Sequence, residues 1–500
     1  MKITYRLISL LLASLMLLPM AASCSADPQD SGDAADTTAA PVDTTAADTT
    51  TEAETGRNAV KDTLPEGLNF SGETFQIYVA AEATNTKFFA GQEELNGDIV
   101  NDTVHARNQA VEERLGITLQ HDGKSDAYNT VAKSVSNLIL ANDDTYDLYM
   151  GHQYGVATLV PQKLFQNAYD VKHLDFTQPW WNNEYMNATA LGDKYRFLLA
   201  GDYFITCLTN ERVVFYNKDL YGDLYGDPDG LYTEVLDGKW TIDRMCELSA
   251  GAYADLNGDG KSDPADRLGF VANKVNASVD GFVYGTDIAF TTRDEEGFVQ
   301  LSMVSDDAVL LLEKLITLFS QTGTNHDNGG TQNAIFKAGT ALFLGNGMLS
   351  TAEDLRDMEQ DFGFLPHPKL DEEQKNYRTL VHDQAFLGCI PVTNNNTDMT
   401  GAVLEALCSE SYRTVVPAWY ESALKLKYAR DDISSQMIDL LNSTMSTDFI
   451  YAYNASLDSI GTYYQKMVKN GTVAWASHMK KVEPAAAKKL QDLIDTFKGN

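Results

Sequence analysis

The chain has 500 residues, 44% of them hydrophobic, and a formal net charge of -33 from 38 basic against 71 acidic side chains. That balance argues against a nucleic-acid partner, whose phosphates demand Lys and Arg, and equally against a polybasic membrane-binding surface. A neutral or cationic small ligand suits it better, although net charge does not set the local charge of a pocket.

Lys2 and Arg6 precede an apolar run from Leu7 to Met20, too short for a permanent span but suited to a signal peptide. Ala21-Ala22-Ser23-Cys24 follows and resembles the lipobox at which bacterial lipoprotein precursors are cleaved, so residues 1–23 read as the signal peptide and Cys24 as the lipidation site. Acyl chains contribute about 0.8 kcal/mol per buried methylene, and a multiply acylated cysteine anchors stably. Residues 24–62 are then the lipidated cysteine and an acidic Thr/Ala-rich tether with too little apolar surface to offset the entropy of ordering. These segments imply an extracytoplasmic protein held to the outer face of the cell membrane by its lipid alone.

The remaining chain exceeds what one hydrophobic core serves, so two lobes are expected. Thr74 to Ala80 alternates as a strand does, Asp102 to Leu115 places Val104, Ala110, Val111 and Leu115 at helical spacing, and Ile117 to Leu119 reads as a second strand. The pattern continues with a helix near Ala132 to Leu140, strands at Tyr146 to Met150 and Arg212 to Tyr216, and helices at Thr241 to Ala252, Asp306 to Gln321 and Thr331 to Ala338. Strands alternating with helices imply α/β lobes with mainly parallel sheets.

Six stretches carry a resemblance: VEERLGITLQ (Val111 to Gln120), YDLYMGHQYG (Tyr146 to Gly155), VVFYNKDL (Val213 to Leu220), GKWTIDRM (Gly238 to Met245), AIFKAGTALFLGNG (Ala334 to Gly347) and DFGFLPHPK (Asp361 to Lys369). In this order and spacing, the chain from 64 to 500 resembles the extracellular solute-binding proteins of carbohydrate ABC importers, the group that includes the maltose-binding protein. Trp180-Trp181 and the segment Glu405 to Asp431 look like a lipoprotein subgroup typical of Gram-positive anaerobes. The resemblance implies a type II, two-lobed periplasmic-binding-protein-like fold with a hinge and an interlobe cleft. It places lobe 1 at 63–203 plus 345–393 and lobe 2 at 204–344 plus 394–500. Crossings are expected near Leu199 to Thr206, Ala341 to Gly347 and Pro391 to Asn394. It also implies a monomer that binds a small solute of the mono- or oligosaccharide class, without catalysis, and delivers it to ABC permease transmembrane subunits.

A sugar needs aromatic faces for its C–H surfaces and polar side chains for its hydroxyls. His152, Gln153 and Tyr154 directly follow a strand end, where open α/β sheets bind ligands, and the resemblance makes this stretch a sugar-contacting loop. Trp181 is the better cleft candidate of the tryptophan pair, and Tyr284 falls where the family places a stacking aromatic of the second lobe. Trp419 and Tyr420 are expected near the cleft from their position after Pro417, and Asn210 is a further polar candidate. Trp240 is expected to pack, with Thr241 capping the helix that follows.

Asp255, Asn257, Asp259, Lys261 (through its carbonyl), Asp263 and Asp266 stand at EF-hand spacing with Gly260 at the turn, and point to a structural calcium. Asp266 replaces the usual Glu and a strand-like run follows, so a metal-free Asx-rich turn stays open beside it. Cys207, Cys246, Cys389 and Cys408 are widely spaced, which supports no zinc site and leaves disulfides and buried thiols both open. The common hydrolase, metalloprotease and nucleotide motifs are absent from the sequence. A glycosidase needs only two carboxylates, so a secreted glycan-active enzyme and a surface polysaccharide-binding adhesin remain the alternatives.

Overall fold

The computed structural model describes residues 56–80, 88–91, 94–127, 129–273, 278–326, 330–425 and 432–498. The segments expected to be a signal peptide and tether, with Cys24, lie outside the described residues up to residue 55. Among those described, no helix is long and apolar enough to cross a membrane. The chain joins its compact body earlier than the expected tether boundary at 62. Asp62 takes both guanidinium nitrogens of Arg114, at 2.7 and 2.6 Å, together with the Ser409 hydroxyl, and the Arg57 guanidinium lies 4.4 Å over the Tyr412 ring.

The fold consists of two α/β lobes. In the first, Glu73–Ala80 pairs in parallel with Ile117–Lys124 on one side and Leu148–His152 on the other, and Phe386–Cys389 adds an antiparallel edge. The helix Ile99–Leu115 connects the first two strands. Asp98 caps its start by accepting from the backbone N–H of Val100 and Asn101, Gly116 ends it at φ 58°, and Val104, Val111 and Leu115 supply its buried face.

The second sheet runs, edge to edge, Phe362–Leu365, Arg212–Asn217, Ala341–Met348, Leu268–Val271 and Thr324–Asn325. Arg212–Asn217 is antiparallel to both of its neighbours and buried along its whole length. Trp240 is wholly buried with its indole donating to Pro366 O at 2.9 Å, and Thr241 accepts from Arg244 N to cap Ile242–Ala252. That helix packs so closely on the sheet that a Cβ on Gly269 would lie 1.8 Å from Ser249 O.

The path between lobes departs from the expected one. Leu199 still bridges Gly388 in the first sheet and Arg212 opens the second, so the first crossing falls close to its expected place. Ala341–Met348 lies wholly within the second sheet, however, so no crossing occurs at Ala341 to Gly347; the chain returns between Leu365 and Phe386. Nor does it leave at Pro391 to Asn394: Pro391 bridges Phe165, and the Asn394 amide donates to Asp147 O. The helices Thr397–Arg413 and Val415–Lys425 then pack on Ile99–Leu115, which puts them in the first lobe rather than the second. The chain rejoins the second lobe with Asp432–Ser443, which packs against Gly230–Leu236 and Phe362–Leu365. A strand pattern in sequence does not reveal which sheet a strand joins, and the apolar face of Thr397–Arg413 fits a helix of either lobe.

Candidate functional site

The carboxyl end of Leu148–His152 delivers His152, Gln153 and Tyr154 to the edge of the first sheet that faces the second lobe. The segment 382–385, which enters Phe386–Cys389 from that side, fastens all three. Gln153 N–H donates to Ala385 O at 2.9 Å and Tyr154 N–H to Asp383 O at 3.1 Å. His152 Nδ1 lies 2.8 Å from Gln384 O, so this nitrogen carries the proton, and the ring stands edge-on to Phe386 at 4.6 Å. Gln153 is 0% exposed, yet neither its amide oxygen nor its nitrogen has a hydrogen-bond partner.

From the second lobe come Arg212 at the head of its strand, Asp280 on Ser278–Tyr284, Tyr451 on Phe449–Ala452, and Gln465. The Tyr451 hydroxyl accepts from Asp383 N at 3.4 Å, and the Gln465 amide donates to Asp280 Oδ2 at 2.7 Å. The other Asp280 oxygen is buried without a partner, as is the Tyr185 hydroxyl. Burial pushes the Asp280 carboxyl up to about 7; the Gln465 hydrogen bond and Arg212 oppose this, and the Asp383 charge adds to it. Burial lifts Asp383 to about 6 against the pull of Arg212. His382 is held well below the usual imidazole range by burial, with Arg212 and His152 adding to the effect. Its Nδ1 lies both 3.1 Å from Gln384 N–H and 3.4 Å from Asp383 Oδ1. The low proton affinity selects the neutral ring that accepts from Gln384, not an ion pair. His367 in turn donates from Nδ1 to Arg212 O at 3.3 Å and steadies the strand head.

The arrangement is a polar cluster, half of it from each lobe, with one fixed cation between two acids of raised proton affinity. Its unpaired donors and acceptors each cost about 1–3 kcal/mol while buried and unmet. A ligand with several hydroxyls, each able to donate and to accept, matches such a set.

Of the other sequence-derived candidates, the structure brings Tyr284 to the edge of this cluster, its ring 5.0 Å from that of Tyr451, and packs Trp181, Trp419 and Tyr420 elsewhere. Trp181 is 3% exposed, and its indole, like that of Trp180, donates to the Glu405 carboxylate, at 2.9 and 3.1 Å respectively. Tyr284 is 5% exposed with its hydroxyl bound to Gly461 O and its ring against Phe290 and Tyr451, which leaves no face for a stacked sugar. Trp419 and Tyr420 ride on the helix Val415–Lys425 against Ile99–Leu115. Asn210 lies closer, its carbonyl accepting from His382 N.

In the Asp255 to Asp266 loop the side chains serve the backbone. Asp255 accepts from Gly258 and Gly260, Asn257 from Asp259, Asp259 from Lys261, Asp263 from Ala265, and Asp266 from Leu256 and Asp263. Among the described residues no group of three His, Cys, Asp or Glu is gathered, and calcium at this loop stays a proposal from its spacing. Cys207, Cys246, Cys389 and Cys408 are free thiols, and Cys246 alone is partly exposed.

Sequence reasoning missed Arg212, Asp280, His382, Asp383, Tyr451 and Gln465. Three of these left a trace: Arg212 stands at the head of a mostly apolar buried strand, and His382 and Asp383, with Gln384, interrupt an apolar stretch.

No family model matches the chain, and no curated protein does. Among solved structures, a cyclo/maltodextrin-binding protein complexed with maltotetraose aligns with a TM-score of 0.55 at 11% identity, over 86% of this chain and 99% of that one. An ABC transporter solute-binding protein from Thermotoga lettingae bound with α-D-tagatose aligns with a TM-score of 0.50 at 14% identity, over 84% of this chain and 100% of that one. At such identities the likeness is one of architecture, and it agrees with the two sheets and their connections: this chain has the two-lobed α/β fold of the solute-binding proteins.

Proposed function

We propose that the chain is the lipid-anchored, extracytoplasmic receptor of an ABC-type importer, and that it captures a small carbohydrate between its lobes without transforming it. The observation that carries this reading is the interlobe cluster of buried polar groups that lack partners, above all the Gln153 amide and Asp280 Oδ1. The solute-binding fold, and structural neighbours that hold maltotetraose and α-D-tagatose, support it. A solute that meets groups from both lobes favours the closed state, because it binds that state better than the open one. The closed form is what the permease subunits would receive.

A thermal-shift screen of mono- and oligosaccharides tests the reading, since a ligand at one hundred times its dissociation constant adds about 2.7 kcal/mol. The expected result is a shift with at least one sugar that Arg212→Gln abolishes. Chromatography of the sugar after incubation should return it unchanged. Turnover would replace the receptor by a glycan-active enzyme using the Asp280 and Asp383 pair, and stabilisation only by insoluble polymer would favour an adhesin.

A further inference from the structure

The short helix Asn183–Thr189 belongs to the first lobe. The chain runs on from it past Arg196, whose carbonyl accepts from Ala168 N, to Leu199 beside the first sheet. A helix leaves its last carbonyls without partners of its own, and here donors of the second lobe take four successive ones at that end. The Arg293 guanidinium donates to Asn187 O, Ala188 O and Ala190 O at 2.7, 3.1 and 3.1 Å, and the Tyr453 hydroxyl donates to Thr189 O at 3.0 Å. A cation placed there also meets the negative end of the helix dipole. Arg293 ends the strand Thr291–Arg293, which pairs with Val299–Leu301 in a hairpin of the second lobe. A further bond, to Gly297 O at 2.6 Å, fixes its side chain across the hairpin turn.

The contact widens beyond the helix. Asp193 N–H donates to Glu296 O at 3.1 Å, and the Tyr195 hydroxyl donates to Phe497 O at 3.2 Å, at the end of the C-terminal helix Trp475–Phe497. The Phe497 ring lies 5.4 and 5.1 Å from the rings of Tyr195 and Phe197. Lys498 ties this end of the chain to the hairpin turn through Asp294 at 3.3 Å and Glu296 at 2.9 Å. The two lobes approach so closely that a Cβ on Gly192 would lie 3.0 Å from Glu296 O, and one on Gly297 would lie 2.8 Å from Asp193 N. These residues stand apart from the crossings between lobes, which fall between Leu199 and Arg212, between Leu365 and Phe386, and before Asp432. They stand beside the polar cluster, because the helix Phe449–Ala452, which carries Tyr451, packs on Asn183–Thr189.

We propose that the Thr291–Leu301 hairpin and the C-terminal end of the chain form a clasp, centred on Arg293, that holds the lobes closed before any solute arrives and releases when they part. The clasp regulates the same cleft and so rests on the receptor reading for its purpose, but its contacts involve protein groups alone. It favours closure by as much as the open form loses of these contacts. A solute that needs the closed form then binds more tightly, because a larger fraction of the protein is already competent.

Small-angle scattering of the ligand-free full chain tests the proposal. Arg293→Ala should give a larger radius of gyration than wild type, with unchanged far-UV circular dichroism and at a temperature well below both melting transitions. Tyr195→Ala, which removes the hydroxyl and the ring that meet Phe497, should shift the radius the same way, and serves as the second variant if Arg293→Ala fails to fold. Gln300→Ala, exposed on the same hairpin, should leave the radius unchanged. Equal radii for wild type and the folded clasp variants overturn the proposal, as does a smaller radius in them, which would make the contact a brake on closure. Failure of every sugar to bind would count against the receptor reading and leave the scattering difference standing.

Discussion

Replacing Glu405 by Gln should change the pH dependence of stability in a calculable way. Glu405 is 0% exposed and accepts the indole N–H groups of Trp180 and Trp181 and the backbone N–H of Asp175. Burial lifts its carboxyl from 4.5 to about 7 despite those hydrogen bonds. Between the two values the folded state keeps a proton that the unfolded chain has released. The contribution of this group is therefore fully present below 4.5 and is lost as pH rises through about 7. At about 1.36 kcal/mol per pH unit the loss totals about 3 kcal/mol. In Glu405→Gln the amide oxygen can take Trp181 and Asp175, but its NH2 then faces the Trp180 N–H. The orphaned donors cost about 1–3 kcal/mol at every pH. Urea unfolding followed by tryptophan fluorescence at pH 5, 6, 7 and 8 should show the variant less stable by that amount at pH 5, with the gap closed or reversed by pH 8. Asp147, Asp202, Asp280 and Asp383 are also raised and slope the same way, but they cancel in the difference between the two proteins. A gap that stays constant from pH 5 to pH 8 would refute the assignment of a raised proton affinity to Glu405.

Tyr154→Ala and Trp181→Ala should separate a binding role from a packing one. Tyr154 is partly exposed beside the cluster, so its truncation should cost about 1–3 kcal/mol of sugar affinity with little loss of stability; Trp181→Ala should instead cost about 3–5 kcal/mol of folding stability in denaturant titration. Calcium is proposed from the spacing of the Asp255 to Asp266 loop, whose carboxylates can ligate a cation while they accept the backbone N–H groups they now hold. A rise in melting temperature with calcium that Asp259→Ala abolishes sustains it, and indifference to both calcium and chelator leaves the loop a turn. Cys24→Ala should prevent acylation and release the protein from membranes, as followed by radiolabelled fatty acid and fractionation; retained label would end the lipoprotein proposal.

The strands and helices of the first lobe were legible because their signals are local. The alternation in Thr74 to Ala80 and the helical spacing of Val104, Val111 and Leu115 each follow from burying one face, and the strand end at His152 followed from the same pattern. The lobe boundaries were not legible, because membership of a sheet is decided by pairing partners hundreds of residues away, as when Phe386–Cys389 pairs with Leu148–His152.

The site was half legible for the same reason. Aromatic residues drew attention as sugar platforms, yet Trp181, Tyr284 and Trp419 are all buried, which is the ordinary fate of a large apolar ring. What assembles the interlobe cluster is charge brought in from separate segments: Arg212, Asp280 and Asp383 meet only after both lobes have formed. Each is individually an expensive group to bury. A buried Arg between two acids, with the Gln153 amide unmet beside it, is hard to account for by stability alone, because well-packed apolar side chains would serve that purpose as well. The cost becomes intelligible if the cluster is completed by a polar ligand when the lobes close. That argument, which concerns the price of unmet polar groups and not the likeness of folds, is the stronger reason to look for the solute between Gln153 and Asp280.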